Sequence, residues 1–296
     1  MIRYAKPPVF TMRSLIKALY QTIFGDSDSY TQCFFDTIFN EALCYLAYDG
    51  DDPVAMMLAL PADLSMPGEQ MMPVAYYYAI GTLPGYRGRG IATRLMDFAD
   101  RDQFMQGIPL SILRPAEPSL FDFYARRGYT TPFHVREVSP SPRELSGIRP
   151  DKLTEVDADV FMLAREAAFR GAPYIFHWGE IDLHASVLLH RLGGGQLLSF
   201  SDDACQGYAI CYNREGTVHV SELICPVGEE ARFARSLLYH YRANAITLWM
   251  PADSAHFYGE GQVIPFAMAR GTAEEVDAAD IFRDAGPGAY MNITLE

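Results

Sequence analysis

The sequence has few features of secreted proteins, of proteins stabilised by a structural metal ion or of membrane-spanning proteins. It contains five cysteines in 296 residues, an odd number with no Cys-x-x-Cys pair. We therefore expect reduced thiols and a cytoplasmic location rather than a disulfide framework. Apolar runs such as residues 54–60 are far too short to cross a bilayer. The N-terminal residues also lack an apolar segment of signal-peptide length.

Basic residues are scarce as well. Lys and Arg total 24 against 37 Asp and Glu, which gives a net charge of -13. Such a surface repels phosphate polymers and anionic lipid, so binding to nucleic acid or to a membrane surface is disfavoured. It would tolerate or attract a cationic substrate such as an amine, although many proteins are acidic simply for solubility. Both interpretations stay open.

Several catalytic motifs are absent. No Walker phosphate loop and no Gly-x-Ser-x-Gly elbow occurs, and a dinucleotide fingerprint starting at Gly88 fails because its third glycine would fall at Thr93. His177, His184 and His190 are not at the three- or four-residue spacing that brings two ligands together on a helix. The sequence therefore predicts no metal site.

The segment around which the chain is organised predicts a strand, a tight turn and a helix. Residues 76–83 are aromatic and β-branched, Pro84 and Gly85 end the strand, and helical periodicity starts at Ile91. The free amides of the first helical turn and the positive end of the helix dipole favour an anion there. Nearby arginines add to this preference: Arg87, Arg89 and Arg94.

Within this turn, Arg87-x-x-Gly90-x-Ala92 resembles motif A of the GNAT superfamily of acyl-CoA-dependent N-acetyltransferases. The resemblance implies acetyl-CoA as co-substrate, with backbone groups of Ile80 and Thr82 pairing with the pantetheine arm. It also implies a set of residues that hold the pyrophosphate: Arg87, Gly88, Arg89, Gly90, Ile91, Ala92 and Thr93. The alternative is an ordinary glycine-rich turn that caps a core helix.

A second local match lies at residues 120–129, Leu-Phe-Asp-Phe-Tyr-Ala-Arg-Arg-Gly-Tyr, which resembles motif B of the same family. The resemblance implies that Tyr124 is the general acid that protonates the departing thiolate. Proton transfer from a phenol to a thiolate is uphill by only about 2 kcal/mol, given their reference pKa values. A core aromatic on a short helix is the alternative interpretation of Tyr124.

The general base is not evident from the sequence. An alkyl amine with a pKa of about 10.4 is mostly protonated at neutral pH, so presenting its free base costs about 4–5 kcal/mol. Many GNAT members carry a Glu in the strand corresponding to residues 76–83, and this strand has none. A tyrosine of that strand, a water chain or the terminal carboxylate of Glu296 could substitute, the last only by resemblance to tandem GNAT proteins.

The order of elements predicts an α+β fold with two tandem GNAT-like domains, each a mixed, mostly antiparallel sheet flanked by helices. The expected division is an acetyl-CoA-binding domain at 1–140, a Pro/Ser-rich linker at 141–150 and a degenerate GNAT-like domain at 151–296. In the second domain, the two glutamates of residues 226–230 stand where Arg and Gly would be needed, so no coenzyme A binding is expected there.

This arrangement resembles the tandem acetyltransferases that include the aminoglycoside-modifying enhanced intracellular survival group. The further sterol-carrier-like domain of that group does not fit within the 296 residues. Two local expectations complete the interpretation: a Pro-, Met- and Gly-rich loop at 61–73, and a last strand at 286–296.

The sequence thus predicts an N-acetyltransferase that moves an acetyl group to a primary amine of a small molecule or peptide, in a cleft between the domains. No nucleic acid or membrane partner is expected, and the oligomeric state, including a homo-oligomer, stays open. The alternative is a non-catalytic acyl-CoA-binding or regulatory module. The variant Tyr124→Phe separates the two hypotheses. It should leave acetyl-CoA binding intact, and it should remove activity only if the protein is an enzyme.

Overall fold

The computed structural model describes residues 1–8, 12–200, 207–253 and 261–295, with backbone only for 180–182. We call residues up to β6 the first half and residues from β7 onward the second half. The strands are β1 (Ile2–Ala5), β2 (Cys44–Asp49), β3 (Asp52–Met66), β4 (Gln70–Thr82), β5 (Leu110–Leu113), β6 (Thr130–Val138), β7 (Leu153–Glu155), β8 (Phe176–Trp178), β9 (Gln196–Phe200), β10 (Tyr208–Arg214), β11 (Thr217–Ile224), β12 (Ala245–Pro251) and β13 (Gln262–Gly271). The helices are α1 (Arg13–Phe24), α2 (Asp28–Thr37), α3 (Ile91–Met105), α4 (Pro118–Ala125), α5 (Ala158–Phe169), α6 (Glu180–Leu192), α7 (Glu230–Tyr241) and α8 (Ala278–Ile281).

The described strands form one continuous sheet across both halves. Their order is β1-β2-β3-β4-β5-β13-β6-β12-β11-β10-β9-β7, with β8 attached to β3. Among these strands only two pairs are parallel, β4 with β5 and β11 with β12. The mixed, mostly antiparallel sheet confirms the predicted α+β fold.

The two halves interlock through exchanged strands. β13 of the second half lies between β5 and β6 of the first, with Met268 opposite Leu113 and Ile264 opposite Val135. β6 continues the sheet into the second half by pairing with β12. β8 of the second half adds to β3 of the first, where His177 lies opposite Asp63. The first half therefore does not complete its own sheet without strands from the second.

Helices cover the sheet unequally on its two faces. On one face, α1, α2, α5 and α6 contribute to a single apolar core that spans both halves. On the other face, α3 and α7 each pack over a separate cluster. Buried aromatics such as Phe34 of α2 and Phe161 of α5 join the shared core. Burial of apolar area of this kind is the main stabilising contribution to folding.

The predicted loop at 61–73 is wrong, because these residues extend a long hairpin of β3 and β4 that turns only between Met66 and Gln70. The Pro, Met and Gly content suggested a loop, since Pro cannot donate to a sheet ladder. Pro61 is tolerated because it falls in a gap on one edge of β3. There β2 pairs only as far as Leu58 and β8 begins at Ala62.

The predicted last strand at 286–296 is also wrong within the described residues. A short 3-10 helix spans Gly286–Gly288, and the following segment is extended with one bridge, between Ile175 and Tyr290. Residue 296 lies outside the described residues. The linker is not detached from the fold, because Leu145 is 1% exposed and packs in the α7 cluster.

Candidate active site

The parallel pair β4 and β5 opens into a cleft. Their pairing ends at Tyr76 opposite Ile112, whereas β4 continues to Thr82. A bulge redirects β4 at this point, since Ala79 has a positive φ of 52° and the register against β3 shifts nearby. Bulges bend a strand and end pairing. The backbone of β4 beyond Tyr76 therefore faces an open edge where an extended ligand can add to the strand.

The glycine turn after β4 is shaped for close approach of a ligand. Gly88 and Gly90 have φ values of 76° and 72°, which glycine adopts without the penalty of a side chain. A Cβ added to either would meet nothing within 4 Å. α3 begins at Ile91, and its first internal hydrogen bond is donated by Arg94 to Gly90. The amides of the preceding residues are therefore directed into the turn.

The predicted phosphate-binding side chains play different parts. The guanidiniums of Arg87 and Arg89 donate within the turn itself, Arg87 Nε to the Thr82 carbonyl at 3.0 Å and Arg89 to the Gly85 carbonyl at 2.8 Å. Ile91 is 3% exposed and packs into the core, so only its amide can reach a phosphate. Ala92 completes the first helical turn.

Sequence reasoning did not single out Arg127, which the structure brings to the same turn. Its Nε donates to Thr93 Oγ1 at 2.7 Å, and its guanidinium carbon lies 3.3 Å from the centre of the Phe123 ring. Arg127 belongs to the end of the motif B segment, so the two motifs meet here. Its position three residues after the candidate acid was the only hint that the sequence offered.

The two strand residues predicted to contact pantetheine lie on the open stretch of β4. Ile80 is partly buried at the bulge. The Thr82 carbonyl already accepts from Arg87, and Thr82 Oγ1 is buried without a hydrogen-bond partner in the described part of the chain. An orphan polar atom beside an open strand edge suits a ligand that carries amide groups, because unpaired buried polar atoms are costly.

Tyr124 lies on α4, in the same apolar cluster as Leu113 at the end of β5 and Ala75 of β4. It is 7% exposed, and its ring contacts that of Tyr129 with centroids 5.6 Å apart. Burial raises the pKa of Tyr124 to about 12, and the nearby Arg127 charge opposes that shift. The phenol is thus protonated at neutral pH and able to donate a proton.

Three tyrosine hydroxyls, of Tyr20, Tyr30 and Tyr78, cluster next to β4. The Tyr78 hydroxyl is 3.4 Å from that of Tyr20 and 3.3 Å from that of Tyr30. Both Tyr78, at 3.1 Å, and Tyr30 donate to the carbonyl of Leu295. The end of the described chain therefore lies against the strand that precedes the glycine turn. Glu296 itself lies outside the described residues.

The final segment is fixed along its length by different elements. Tyr290 donates to the buried Glu222 at 2.9 Å, and Trp178 donates to the Ile293 carbonyl at 2.8 Å. Arg114 donates to Thr294 Oγ1 at 2.8 Å. These contacts come from both halves of the molecule. The segment thus depends on the interlocked fold for its course towards Tyr78.

The three histidines considered as metal ligands have different surroundings. His184 contacts Asp159 at 2.7 Å, and His190 lies 3.4 Å from the Cys211 carbonyl. Burial lowers the pKa of His177 to about 4. In the described residues, no three His, Cys, Asp or Glu side chains are grouped to hold a metal ion. No helix in that part of the chain is long and apolar enough to span a membrane.

Comparison with known proteins matches part of this chain to one protein family. The model of the acetyltransferase (GNAT) domain family matches residues 13–131. No curated protein matches the chain. The matched range contains the cleft, the glycine turn and Tyr124, and ends just inside β6.

Solved structures match along nearly the whole chain. A GCN5-related N-acetyltransferase from Kribbella flavida matches with a TM-score of 0.66 at 17% identity, covering 92% of this chain and 72% of that chain. A probable N-acyltransferase from Enterococcus faecalis V583 matches with a TM-score of 0.70 at 16% identity, covering 92% and 73%. Eis1 from Mycobacterium abscessus matches with a TM-score of 0.64 at 16% identity, covering 92% and 74%.

At such low identity, these structures show the fold, which extends over both halves. Residues 13–131 match the GNAT acetyltransferase domain family. Enzymes of this superfamily use an acyl-CoA as co-substrate. The open edge of β4, the glycine turn and the orphan Thr82 hydroxyl fit such a group.

Proposed function

We propose that the protein transfers the acetyl group of acetyl-CoA to a primary amine of a small molecule or peptide by direct attack. When bound, the thioester supplies the activated acyl group. The chain's own residues would bind its pyrophosphate at the amides of residues 88–93 and its pantetheine along Ile80 and Thr82. The observation that carries the proposal is Tyr124, a buried phenol in the same apolar cluster as Leu113 of β5 and Ala75 of β4, with its proton retained.

Tyr124 would donate its proton to the departing thiolate. No hydrogen bond of its hydroxyl is found within the described residues, so the proton is not committed to another acceptor. Arg127 would help to bind the pyrophosphate at the glycine turn and would not act as an acid. General acid catalysis of this kind contributes about 10²–10⁴-fold to a rate.

We propose the terminal carboxylate of Glu296 as the base. The support is that Tyr30 and Tyr78 hold the preceding carbonyl, of Leu295, against β4. Burial raises the pKa of Tyr78 well above its ordinary value, so this phenol stays protonated and is a poor base. Its role would be to position the last residues of the chain. Extension of the chain beyond Glu296 by two residues, which displaces the terminal carboxylate, should then reduce kcat with acetyl-CoA affinity unchanged.

Tyr124→Phe tests the enzyme directly. Thiol release from acetyl-CoA with an amine panel should fall about 10²–10³-fold in kcat, while calorimetry gives an acetyl-CoA Kd within twofold of the parent. Tyr239→Phe is the matched control, because Tyr239 is 66% exposed on α7 and should leave both values unchanged. Acetyl-CoA binding without thiol release by any amine would instead favour a regulatory or acyl-CoA-binding module.

A cytoplasmic location and a small-molecule or peptide acceptor belong to the same proposal. The support for an amine acceptor is the match of residues 13–131 to the GNAT acetyltransferase family, whose enzymes acetylate amines. The described Cys33, Cys44 and Cys211 form no disulfide in the structure. Sedimentation of the purified protein would establish whether it forms a homo-oligomer.

A further inference from the structure

An arginine of the second half connects the two helices that carry the candidate site. Arg270 lies on β13, the strand inserted between β5 and β6 of the first half. Its side chain is 17% exposed and reaches both α3, which follows the glycine turn, and the end of α4, which carries Tyr124. β13 lies outside the segment 13–131 that matches the GNAT domain family. The connection is therefore supplied by the part of the chain beyond that match.

The contact of Arg270 with α3 is a buried ion pair. Its Nη2 donates to Asp100 and lies 3.4 Å from Asp97 Oδ1. The Asp100 side chain is 7% exposed, and its other carboxylate oxygen accepts from the Tyr77 hydroxyl of β4 at 2.7 Å. Charge-assisted hydrogen bonds are stronger than neutral ones, and the low dielectric of a buried site strengthens them further. Arg270 therefore fixes α3 relative to both β4 and β13.

The contact of Arg270 with α4 is made at the C-terminus of that helix. Its Nη1 donates to the Arg127 carbonyl at 2.9 Å. This carbonyl belongs to the turn that closes the helix, in which the amides of Arg127 and Tyr129 donate to the Tyr124 carbonyl at 2.8 and 3.2 Å. The last carbonyls of a helix lack partners within it, and a cation there also complements the helix dipole. Arg270 thus caps the helix that carries the candidate acid.

The aromatic contacts of Arg270 lead to the same phenol. Its guanidinium carbon lies 5.0 Å from the centre of the Tyr129 ring, which contacts the Tyr124 ring with centroids 5.6 Å apart. The Tyr129 hydroxyl is 3.1 Å from Ser111 Oγ, which donates to the Arg270 carbonyl at 3.2 Å. Tyr129 is 3% exposed, and a close-packed interior leaves such a ring little room to shift. Tyr124 therefore packs on a residue that contacts the Arg270 side chain directly and its backbone through Ser111.

We infer that Arg270 is a positioning residue for the proposed reaction, which holds the Tyr124 phenol in place relative to the glycine turn by linking α4 to α3. A general acid acts only within hydrogen-bond reach of the group it protonates, and a displacement of about 1 Å can cost about 10²-fold in rate. Among the described residues, the guanidinium donates to α3 and to the end of α4 and not to the glycine turn. Its loss should therefore affect kcat more than acetyl-CoA affinity. The inference rests on the proposed function and adds to it a part for the second half.

Arg270→Lys is the first test. Lysine keeps a positive charge beside Asp100, but its single ammonium does not span the distance to the Arg127 carbonyl as the planar guanidinium does. Thiol release from acetyl-CoA with an amine should fall about tenfold in kcat, while calorimetry gives an acetyl-CoA Kd within threefold of the parent. Arg283→Lys is the matched control, because Arg283 is an exposed arginine of the second half that pairs with Asp280, and it should leave both values unchanged.

A double-mutant cycle with Tyr124 separates positioning of the acid from a general loss of structure. Tyr124→Phe has no phenolic proton to place, so adding Arg270→Lys to it should change the remaining kcat less than twofold. Equal tenfold losses in the parent and in Tyr124→Phe would overturn the inference alone, because the arginine would then act independently of the phenol. If Tyr124→Phe does not itself reduce kcat, the proposed function is wrong and the inference fails with it.

A second variant tests the same link without an unpaired buried charge. Asp100→Asn combined with Arg270→Met removes both charges of the ion pair together, which avoids the penalty of leaving one of them buried alone. Circular dichroism should show cooperative unfolding for this variant, and its kcat should again be about tenfold below that of the parent. A folded double variant with the kcat of the parent would show that the acid does not depend on the arginine, and the inference would be wrong.

Discussion

The molecule contains two versions of the same splayed strand pair, and they differ in the turn that connects the splayed strand to its helix. In the first half, β4 bulges at Ala79 and leaves β5 after Tyr76. In the second half, β11 bulges at Ser221, and its parallel pairing with β12 ends at Val220 opposite Leu248. Strand geometry alone therefore does not distinguish the proposed coenzyme A site from its counterpart in the second half.

The turns after the two strands are chemically opposite. In the second half, the Glu230 carboxylate accepts from the Gly228 amide at 2.8 Å, and Glu229 pairs with Arg232 at 2.9 Å. The amides of that turn are thus served by the protein's own carboxylates, which would repel a diphosphate. In the first half, the amides of Gly88, Arg89 and Gly90 have no acceptor among the described residues, so a ligand can use them. The turn, more than the cleft, therefore decides which half is suited to the cofactor.

The largest expected effect comes from placing a β-branched residue in each turn. Gly90→Val at a φ of 72° should raise the acetyl-CoA Kd about 100-fold, since valine is strained there and its methyl groups block the turn. Gly228→Val, at a φ of 94° in the second half, should leave that Kd within twofold. Calorimetry measures both.

Thermal unfolding and Gly90→Asn serve as controls for this comparison. Asn tolerates a positive φ better than Val, so Gly90→Asn should fold and lose less affinity. An equal loss of affinity in Gly90→Val and Gly228→Val, at equal stability, would mean that the two turns are not functionally distinct.

Acid should weaken the joint that β8 and β3 form between the halves. His177 on β8 lies opposite Asp63 of β3, and burial lowers its pKa from 6.5 to about 4. The unfolded chain therefore binds a proton that the folded chain does not between these values, so stability falls as pH drops from about 6.5 to 4. From pH 7 to pH 5, this group should remove about 2 kcal/mol of unfolding free energy.

The variant His177→Gln should lack this pH-dependent loss of unfolding free energy. Urea unfolding at pH 7 and pH 5 should show a loss for the parent that exceeds the loss for the variant by about 2 kcal/mol. His219→Gln is the comparison at another histidine, partly buried on β11. Parallel pH profiles for the parent and His177→Gln would show that this histidine does not couple the joint to pH.

The sequence predicted the local parts of the site better than its long-range parts. Arg87 to Thr93 and Tyr124 are found on a turn and a short helix as expected, because glycine spacing and helical period are local properties. The position of β13 between β5 and β6 could not be predicted in this way, since strand exchange depends on contacts far apart in sequence. The same holds for the course of Leu295 towards Tyr78.

Composition misled the prediction where tertiary contacts compensate for a residue. Pro61 and Pro73 suggested a loop, and both lie in the hairpin of β3 and β4. Likewise, Glu222 was not singled out, because a lone Glu in an apolar strand gives no hint of its two tyrosine donors. Tyr290 is 68 residues away in sequence, and Tyr208 lies on the neighbouring strand β10.

The smallest expected effect separates an arginine that contacts the first turn of α3 from an arginine within the first turn of α7. Arg127 donates to Thr93 in the first helical turn of α3, whereas Arg232 of α7 pairs with Glu229 and with Asp151 at 2.5 Å. Arg127→Gln should raise the acetyl-CoA Kd about tenfold, because a charge-assisted contact to phosphate is worth about 1.5–3 kcal/mol. Arg232→Gln should change Kd less than twofold and lower Tm slightly, since partly exposed ion pairs contribute about 0.2–1 kcal/mol. Arg127→Lys should recover part of the affinity by keeping the charge, and if it recovers none, the contribution of Arg127 lies in its stacking on Phe123 rather than in its charge.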